Sequence, residues 1–243
     1  MNSFKENIRR LLARQGWFLR KSLGLPAGTD FEHDFLVRAS LPQPKIVFDV
    51  GAHHGETCEH FSRIFPQASI FSFEPVAGNF AVLEKRVRGL TRIACHQLAL
   101  GEHSGEISIV LQPDSQGHSL RHRTDDTMAR REIIHVTTLD AFAARHSVPA
   151  IDLLKIDTEG YELAVLQGAK DLLACRRIGP ILLEASLDPH DTAHTAFLDA
   201  VTFLRPHGYK VAALYDQVMW RQPVRLAYFN ALFVPSHPSA AGK

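Results

Sequence analysis

Two glycines and two carboxylates are spaced as in folds that hold a nucleotide-like ligand at the edge of a sheet. Residues 45–57 read KIVFDVGAHHGET, so that Asp49 precedes Gly51, and Gly55 follows four residues later. Glu74 ends the next apolar run, 19 residues after Gly55, about the distance at which such folds place a ribose-binding acid. The glycines let the backbone approach a ligand closely, so this stretch predicts a ligand-binding turn.

The spacing of the turn narrows the choice of ligand. It is G-x-x-x-G, which differs both from the G-x-G-x-x-G of dinucleotide binders and from the phosphate loop. NAD, FAD and ATP therefore lose support. An acid before the turn and another after the next strand suit a ligand with a ribose and a cationic tail, and S-adenosylmethionine has both. The alternative is a Rossmann-like core without this ligand.

A second acidic segment follows the apolar run at 153–156, in the sequence LLKIDTEG. Asp157 and Glu159 stand at the end of that run, where a reacting group would lie if the run is a strand of the same sheet. Either acid can act as a general base. Either can instead pair with Lys155 or stabilise the start of the following helix.

Histidines provide the remaining candidate chemistry. His118 lies in the polar stretch 112–131, which is long for a connection in a compact domain and is read as a substrate-covering loop or a solvated excursion. His53, in the glycine turn, is another candidate base. His190 and His194 have i, i+4 spacing but no third ligand near them in the sequence. The sequence therefore predicts no metal site, and exposed histidines at a helix start.

Apolar runs alternate with amphipathic segments along the chain, which predicts an α/β fold with a doubly wound, mostly parallel sheet. Expected strands are 46–48, 69–74, 92–98, 105–111, 132–137, 153–156, 181–184, 210–215 and 228–234. Expected helices are 30–41, 56–65, 77–88, 138–145, 161–174 and 192–205. The last two strands are too closely spaced for a helical crossover, so they should form an antiparallel hairpin. In the methyltransferase version of this architecture the first and fourth main strands are neighbours, which would place Gly51 and Asp157 in one cleft.

Composition sets limits on the class of protein. The chain has 243 residues, 45% of them hydrophobic, and a net charge of +1, which gives no overall attraction to nucleic acid. Three widely spaced cysteines fit a reducing compartment, so a cytoplasmic location is expected. The predicted organisation is an N-terminal helix and connector at 1–44, one domain at 45–235 and a frayed tail at 236–243.

The first 24 residues form a predicted amphipathic helix with six basic side chains and one acidic one. Such a helix can lie peripherally in a membrane interface. It can also pack on its own domain or on a second copy of the chain in a homodimer. The sequence favours packing over the membrane.

These segments together resemble the FkbM-type methyltransferase family. The resemblance rests on VFDVGAHHGET at 47–57, FSFEP at 71–75, LALGEHSGEI at 98–107, TTLDAF at 137–142, LLKIDTEGYELAVLQGA at 153–169 and ILLEAS at 181–186. It implies a Rossmann-like class I methyltransferase fold, S-adenosylmethionine as cofactor and O-methylation of a hydroxyl on a sugar, glycan or secondary metabolite.

The resemblance also implies roles for individual residues. Asp49 and the 51–55 turn, with Gly51, Ala52, His53 and Gly55, are expected to hold the methionine part of the cofactor. Glu74, followed by Pro75, is expected to bind the ribose, and Ala99 and Leu100 to line the adenine pocket. Asp157 and Glu159 are expected where the methyl group meets the acceptor, with His118 a weaker candidate base.

Two positions depart from the family pattern, and two other functions stay open. His53 stands where the family commonly has Asn, and Ala77 where it usually has Pro. A non-catalytic module that binds the cofactor or a glycan is one alternative. An NAD-dependent oxidoreductase is the other, although the missing dinucleotide fingerprint argues against it. Nucleic-acid methylation is weaker still, because no NPPY-like tetrapeptide follows the fourth strand.

Overall fold

A computed structural model describes residues 25–111, 130–188, 190–191, 193–221 and 224–236. The chain divides into two compact units, Met1–Leu41 and Pro42–Lys243. The predicted helix at 1–24, His118 with most of the polar loop, and nearly all of the predicted tail lie outside the described residues. None of the helices in the described part has the length and apolar character that crossing a bilayer requires.

The described part of the first unit contains the short helix expected there. A helical turn at Phe31–His33 continues as a π-helix at Asp34–Arg38. Asp30 caps its start by accepting a hydrogen bond from the His33 backbone N–H at 3.0 Å. The buried Asp34 accepts a hydrogen bond from Gly28 N and pairs with Arg38, so its charge is compensated.

The second unit is built on a seven-stranded sheet in the order β3-β2-β1-β7-β8-β10-β9. Its strands are β1 Ile46–Val50, β2 Ser69–Phe73, β3 Ile93–His96, β7 Leu153–Ile156, β8 Ile181–Ala185, β9 Tyr209–Arg221 and β10 Val224–Pro235. Every neighbouring pair is parallel except those that involve β10, which is antiparallel to β8 and to β9. This confirms the predicted parallel sheet with a C-terminal antiparallel hairpin.

In the described part of this unit, six α-helices pack on the sheet or follow its strands. They are α1 Glu56–Ile64, α2 Ala77–Arg86, α3 Leu139–Arg145, α4 Glu162–Gln167, α5 Lys170–Ala174 and α6 Phe197–Leu204. Thr138 caps α3 by accepting a hydrogen bond from Ala141 N at 3.0 Å, as N-cap threonines do. The apolar faces of α3, α4, α5 and α6 share one core with the buried strands of the large sheet, around Phe48, Ile156 and Phe229.

Two elements differ from the sequence-based prediction. The expected helix at 161–174 is split into α4 and α5 at Gly168, where an added Cβ would lie 2.0 Å from the Gly101 carbonyl oxygen. This close backbone approach bends the chain away from one continuous helix. The expected helix at 192–205 begins only at Phe197, because the Asp191 side chain accepts hydrogen bonds from Ala193 N and His194 N before it.

The closing hairpin is longer than predicted, because β9 and β10 extend through the stretch read as their connection. Their pairing continues to Arg221 and Val224, with register shifts near Tyr228. Asp216 adopts a positive φ of 47°, and such irregularities let a long strand bend. Asp216, which was read as the start of the connection, therefore lies within β9.

A small second sheet was not expected as a separate unit. Its order is β4-β6-β5, with β4 Ala99–Leu100, β5 Gly105–Val110 and β6 Arg131–Thr137. Both β5 and β6 were predicted as strands, and they pair with each other in the antiparallel direction. The described chain leaves this hairpin between Leu111 and Arg130, so the polar loop departs from the small sheet.

Candidate active site

A cavity of about 360 Å³ opens where the carboxyl ends of β1, β2, β7 and β8 meet. Its size falls in the range of about 300–1,000 Å³ that is usual for small-molecule sites. It lies beside β1, where the strand order changes direction: β2 and β3 follow on one side of β1, and β7 and β8 on the other. Ligands bind at such a point in open α/β sheets. Apolar side chains form part of its wall, among them Val50, Phe73, Val76, Leu100 and Ile109.

Most of the residues predicted for the cofactor line this cavity. The eight that do so are Gly51, Ala52, His53, Glu74, Pro75, Ala99, Leu100 and Asp157. Glu159, a predicted catalytic residue, lines it as well. Asp49 and Gly55 do not form part of its wall, and His118 lies outside the described residues. The structure thus brings together residues from segments more than one hundred positions apart.

The glycine turn is fixed to the end of β2 by backbone hydrogen bonds. Gly51 N and Ala52 N both donate to the Phe73 carbonyl oxygen, at 3.0 Å and 2.9 Å. His53 N donates to the Glu74 carboxylate at 3.0 Å. The turn and the predicted ribose-binding acid therefore form one rigid unit.

The two glycines of the turn are required for different reasons. Both have positive φ angles, 81° at Gly51 and 90° at Gly55. A Cβ on Gly51 would lie 1.7 Å from the Asp157 carbonyl oxygen, whereas one on Gly55 would lie 2.7 Å from Leu83. Gly51 thus lets β1 and β7 approach each other, and Gly55 lets α1 begin against α2.

His53 also has a positive φ of 47°. Asn and His are several-fold enriched in this conformation, which accounts for a His at a position where the family commonly has Asn.

Glu74 is a buried carboxyl at the edge of the cavity, with 5% of its surface exposed. Burial raises its pKa to about 7, although hydrogen bonds from the Val76 and His53 N–H groups oppose the rise. The Val76 bond is 2.9 Å long. The carboxyl is thus poised to lose its proton near neutral pH when a ligand that favours the charged form binds.

A buried lysine joins two of the predicted acids. Lys155 Nζ lies 3.0 Å from Asp157 and 3.6 Å from Asp49. Burial alone would lower the pKa of Lys155, but the charges of Asp157 and Asp49 raise it above its ordinary value. Burial likewise favours a raised pKa for Asp157, and the Lys155 charge outweighs it, so that the pKa of Asp157 is lowered. Asp157 is therefore a carboxylate that pairs with Lys155, which was one of the two roles expected for it. It also lines the cavity.

Asp49 lies beneath the cavity wall rather than in it. Its surface is fully buried, and burial raises its pKa while Lys155 opposes the rise. Asp49 does not form part of the cavity wall, and its expected role toward the methionine part of the cofactor stays a prediction. Its charge acts on the site through Lys155, which does line it.

The turn after β7 is organised by a residue that the sequence reasoning did not select. The buried Glu162 carboxylate accepts hydrogen bonds from Thr158 N at 2.8 Å, from the Thr158 hydroxyl at 3.1 Å and from Gly160 N at 3.0 Å. This holds Glu159 at a positive φ of 52°, a conformation that costs about 1–3 kcal/mol in a residue other than glycine. The strained turn presents Glu159 to the cavity.

Two further site residues, Glu184 and His194, escaped prediction. Glu184 is the penultimate residue of β8 and lines the cavity, and His194 Nε2 lies 3.8 Å from its Oε2. Burial, with the charges of Asp157 and Glu159, raises the pKa of Glu184 to about 10. The signal for Glu184 was present in the sequence, since this acid directly follows the apolar run 181–183 just as Glu74 follows the earlier one.

His194 could not be placed from the sequence. It was expected at an exposed helix start, and that expectation is wrong, because its side chain is only 12% exposed and α6 begins after it. His190, its predicted i, i+4 partner, is exposed. The two histidines therefore do not share a helix face.

Comparison with known proteins identifies relatives of this chain. The sequence model described as the methyltransferase FkbM domain matches residues 49–211. The hexuronic acid methyltransferase AglP of Haloferax volcanii is 27% identical over 157 residues, which are 64% of this chain and 63% of AglP. The 31-O-demethyl-FK506 methyltransferase FkbM of Streptomyces tacrolimicus is 27% identical over 70% of this chain and 75% of its own length.

A solved structure has the same fold. The crystal structure of an FkbM methyltransferase from Methylobacillus flagellatus KT superposes with a TM-score of 0.54 at 20% sequence identity. The match covers 83% of this chain and 47% of that one. The chain thus spans about half of the solved relative, and less than two thirds of AglP.

Proposed function

This chain belongs to the FkbM methyltransferase family, and we propose that it transfers a methyl group from S-adenosylmethionine to a hydroxyl of a sugar, a glycan or a secondary metabolite. One observation carries the proposal. A single cavity joins the glycine turn and the buried Glu74 to Asp157 and Glu159, at the carboxyl ends of adjacent parallel strands. The donor and acceptor halves of a transfer site are thereby next to each other.

The cavity fits the proposed cofactor in shape and in chemistry. Apolar side chains at Val76, Leu100 and Ile109 offer surfaces for a purine ring. Glu74 offers a buried carboxyl that can accept hydrogen bonds from the two ribose hydroxyls. Asp157, paired with Lys155, lines the same cavity, where the methyl group is expected to meet the acceptor.

The cofactor supplies a methyl group on a sulfonium, which is already activated for displacement. The protein's task is alignment, since well-oriented reactants gain up to roughly 7–11 kcal/mol. The strained turn at Glu159 and the Lys155–Asp157 ion pair fix the acceptor wall of the cavity. A carboxylate there takes the hydroxyl proton, and a positioned base adds about 10²–10⁴-fold. We assign this role to Asp157 or Glu159.

The acceptor class rests on the relatives. AglP is named for a hexuronic acid, and the Streptomyces enzyme for a hydroxyl of FK506. One name specifies a sugar acid and the other an O-methyl position of a small molecule, so we assign a hydroxylated small molecule or glycan to this chain. Further support is that the acceptor half of the cavity is polar, with Thr158, Glu159, Glu184 and Tyr228 in its wall.

The test is methyl transfer from an isotopically labelled cofactor to a panel of uronic acid glycosides and macrolide alcohols, with products identified by mass spectrometry. We expect a labelled methyl ether on at least one acceptor. The Asp157→Asn variant should lower its yield, whereas the exposed Glu84→Gln variant, on the outer face of α2, should not. Cofactor binding without any labelled product across the panel would instead favour the non-catalytic binding module.

A further inference from the structure

Three potential metal ligands converge on one wall of the cavity. Glu159, Glu184 and His194 each offer one donor atom, and these atoms all lie within 4.8 Å of one another. The two glutamates line the cavity, and His194 Nε2 is 3.8 Å from Glu184 Oε2. The three residues come from separate segments, which explains why no spacing motif announced them.

Glu184 supplies an oxygen without a hydrogen-bonding partner. The residue is 7% exposed, and its Oε2 accepts no hydrogen bond from any described part of the chain. A buried polar atom left without a partner is costly. Since this oxygen faces His194, a cation between the two would satisfy it.

His194 is held in the orientation that metal ligation requires. Its Nδ1 lies 2.9 Å from Asp191 Oδ2, and its ring stacks on Tyr228 with centroids 4.3 Å apart. With Nδ1–H donating to Asp191, the neutral ring carries its lone pair on Nε2, which is the atom that faces Glu184. Metal-binding histidines almost always have such a carboxylate or carbonyl behind them.

Carboxyl groups around this point supply the oxygen donors. Those of Asp157, Glu159 and Glu184 line the same cavity. Asp157 is paired with Lys155, so Glu159 and Glu184 are the acids that accompany His194 in the candidate metal site.

We propose that Glu159, Glu184 and His194 bind a divalent first-row transition metal ion at the acceptor end of the cavity. Metal–ligand bonds of about 2.0–2.2 Å place neighbouring donors about 3 Å apart. His194 Nε2 and Glu184 Oε2, now 3.8 Å apart, would therefore close by about 1 Å, and donors at the 4.8 Å limit by up to about 2 Å. An imidazole with two carboxylates suits Mn²⁺, Fe²⁺, Co²⁺ or Zn²⁺ better than Mg²⁺, which prefers oxygen ligands and retains its waters.

Three protein ligands leave coordination positions open toward the cavity. An acceptor hydroxyl bound there would lose its proton more easily, because a divalent ion lowers the pKa of a bound hydroxyl or water. This role rests on the proposed methyl transfer, whereas ion binding itself does not. The lowered pKa of Asp157 makes its carboxylate a weak base. A bound ion that acidifies the acceptor hydroxyl would compensate for this weakness.

Binding is tested on the full chain after removal of metal with a chelator. Mn²⁺ is titrated while free Mn²⁺ is followed by electron paramagnetic resonance, and Co²⁺ absorption reports the geometry. We expect one ion per chain. His194→Gln and Glu184→Gln should weaken Mn²⁺ binding at least 10-fold, and Asp191→Asn about 10–100-fold through loss of the support behind His194.

Matched controls separate this site from adventitious binding. His190→Gln changes an exposed histidine of the same segment and should leave Mn²⁺ binding unchanged. Melting curves of each variant without metal show whether it folds, and the wild-type stoichiometry stands independently of the variants. Mn²⁺ bound equally well by His194→Gln, or no ion bound by the wild type, would overturn the proposal and leave a proton-sharing Glu184–His194 pair. S-adenosylhomocysteine binding measured on the same samples keeps failure of the metal site distinct from failure of the methyltransferase assignment.

Discussion

Replacing Glu74 with glutamine should stabilise the fold while it weakens cofactor binding. The carboxyl is buried, and its pKa is raised from 4.5 to about 7. Below pH 4.5 it is neutral in both the folded and the unfolded chain. Between pH 4.5 and 7 only the unfolded chain loses the proton, so stability contributed by the neutral carboxyl is lost as pH rises and is not recovered above pH 7.

The size of the effect follows from the two pKa values. At about 1.36 kcal/mol per pKa unit, a move from 4.5 to about 7 amounts to about 3 kcal/mol by pH 8. Glutamine is neutral throughout and avoids this loss. Its amide oxygen can serve only one of the two donors, His53 N and Val76 N, which costs about 1 kcal/mol. Glu74→Gln should therefore be about 2 kcal/mol more stable than the wild type at pH 8.

The assay is urea unfolding of both proteins at pH 5 and pH 8 without ligand. The two should be of nearly equal stability at pH 5, because ionisation of the unfolded chain has cost the wild type only about 1 kcal/mol there, which matches the cost of the hydrogen bond that glutamine loses. At pH 8 the variant should have the higher midpoint. A variant that is less stable than the wild type at pH 8, or a difference that does not change with pH, would refute the assignment of a buried, ligand-free carboxyl to Glu74.

Three further substitutions test the site and its supports. Gly51→Ala should prevent stable folding or lower the free energy of unfolding by several kcal/mol, since the Cβ would meet a carbonyl oxygen at 1.7 Å and φ is +81°; Gly78→Ala, with no atom near its Cβ, should have the stability of the wild type or better in urea unfolding. Lys155→Met should lower stability by about 3–5 kcal/mol, because a buried ion pair loses its cation; the exposed Lys170→Met should cost less than about 1 kcal/mol, and equal losses would contradict the buried network. Asp157→Asn should reduce turnover of an identified acceptor by about 10²–10⁴-fold with cofactor affinity within a few fold by calorimetry, and full activity would remove Asp157 from the mechanism.

The cofactor half of the site was accessible from the sequence because its parts are local. The strand, the glycine turn and the acid that ends the next strand each have a signature within a few residues. Parallel strands then bring Gly51, Glu74 and Asp157 to one edge of the sheet without further information. Even so, the reason for Gly51 was misjudged, since its missing Cβ makes room for the Asp157 carbonyl as well as for a ligand.

The acceptor half depends on contacts that no local pattern encodes. His194 reaches Glu184 because Asp191 turns the chain before α6. Gly168 divides the expected long helix because it packs on Gly101. The closing hairpin was underestimated for a different reason, because register shifts within the pairing of β9 with β10 accommodate residues that look like a connection.

The most direct test of the account is calorimetric titration of the whole chain with S-adenosylmethionine and S-adenosylhomocysteine, beside Glu74→Ala and the control Glu84→Gln. We predict binding of both ligands by the wild type and by the control, and weaker binding by Glu74→Ala. Failure of the wild type to bind either ligand, or undiminished binding by Glu74→Ala, would contradict the assignment of this cavity to the methyl donor.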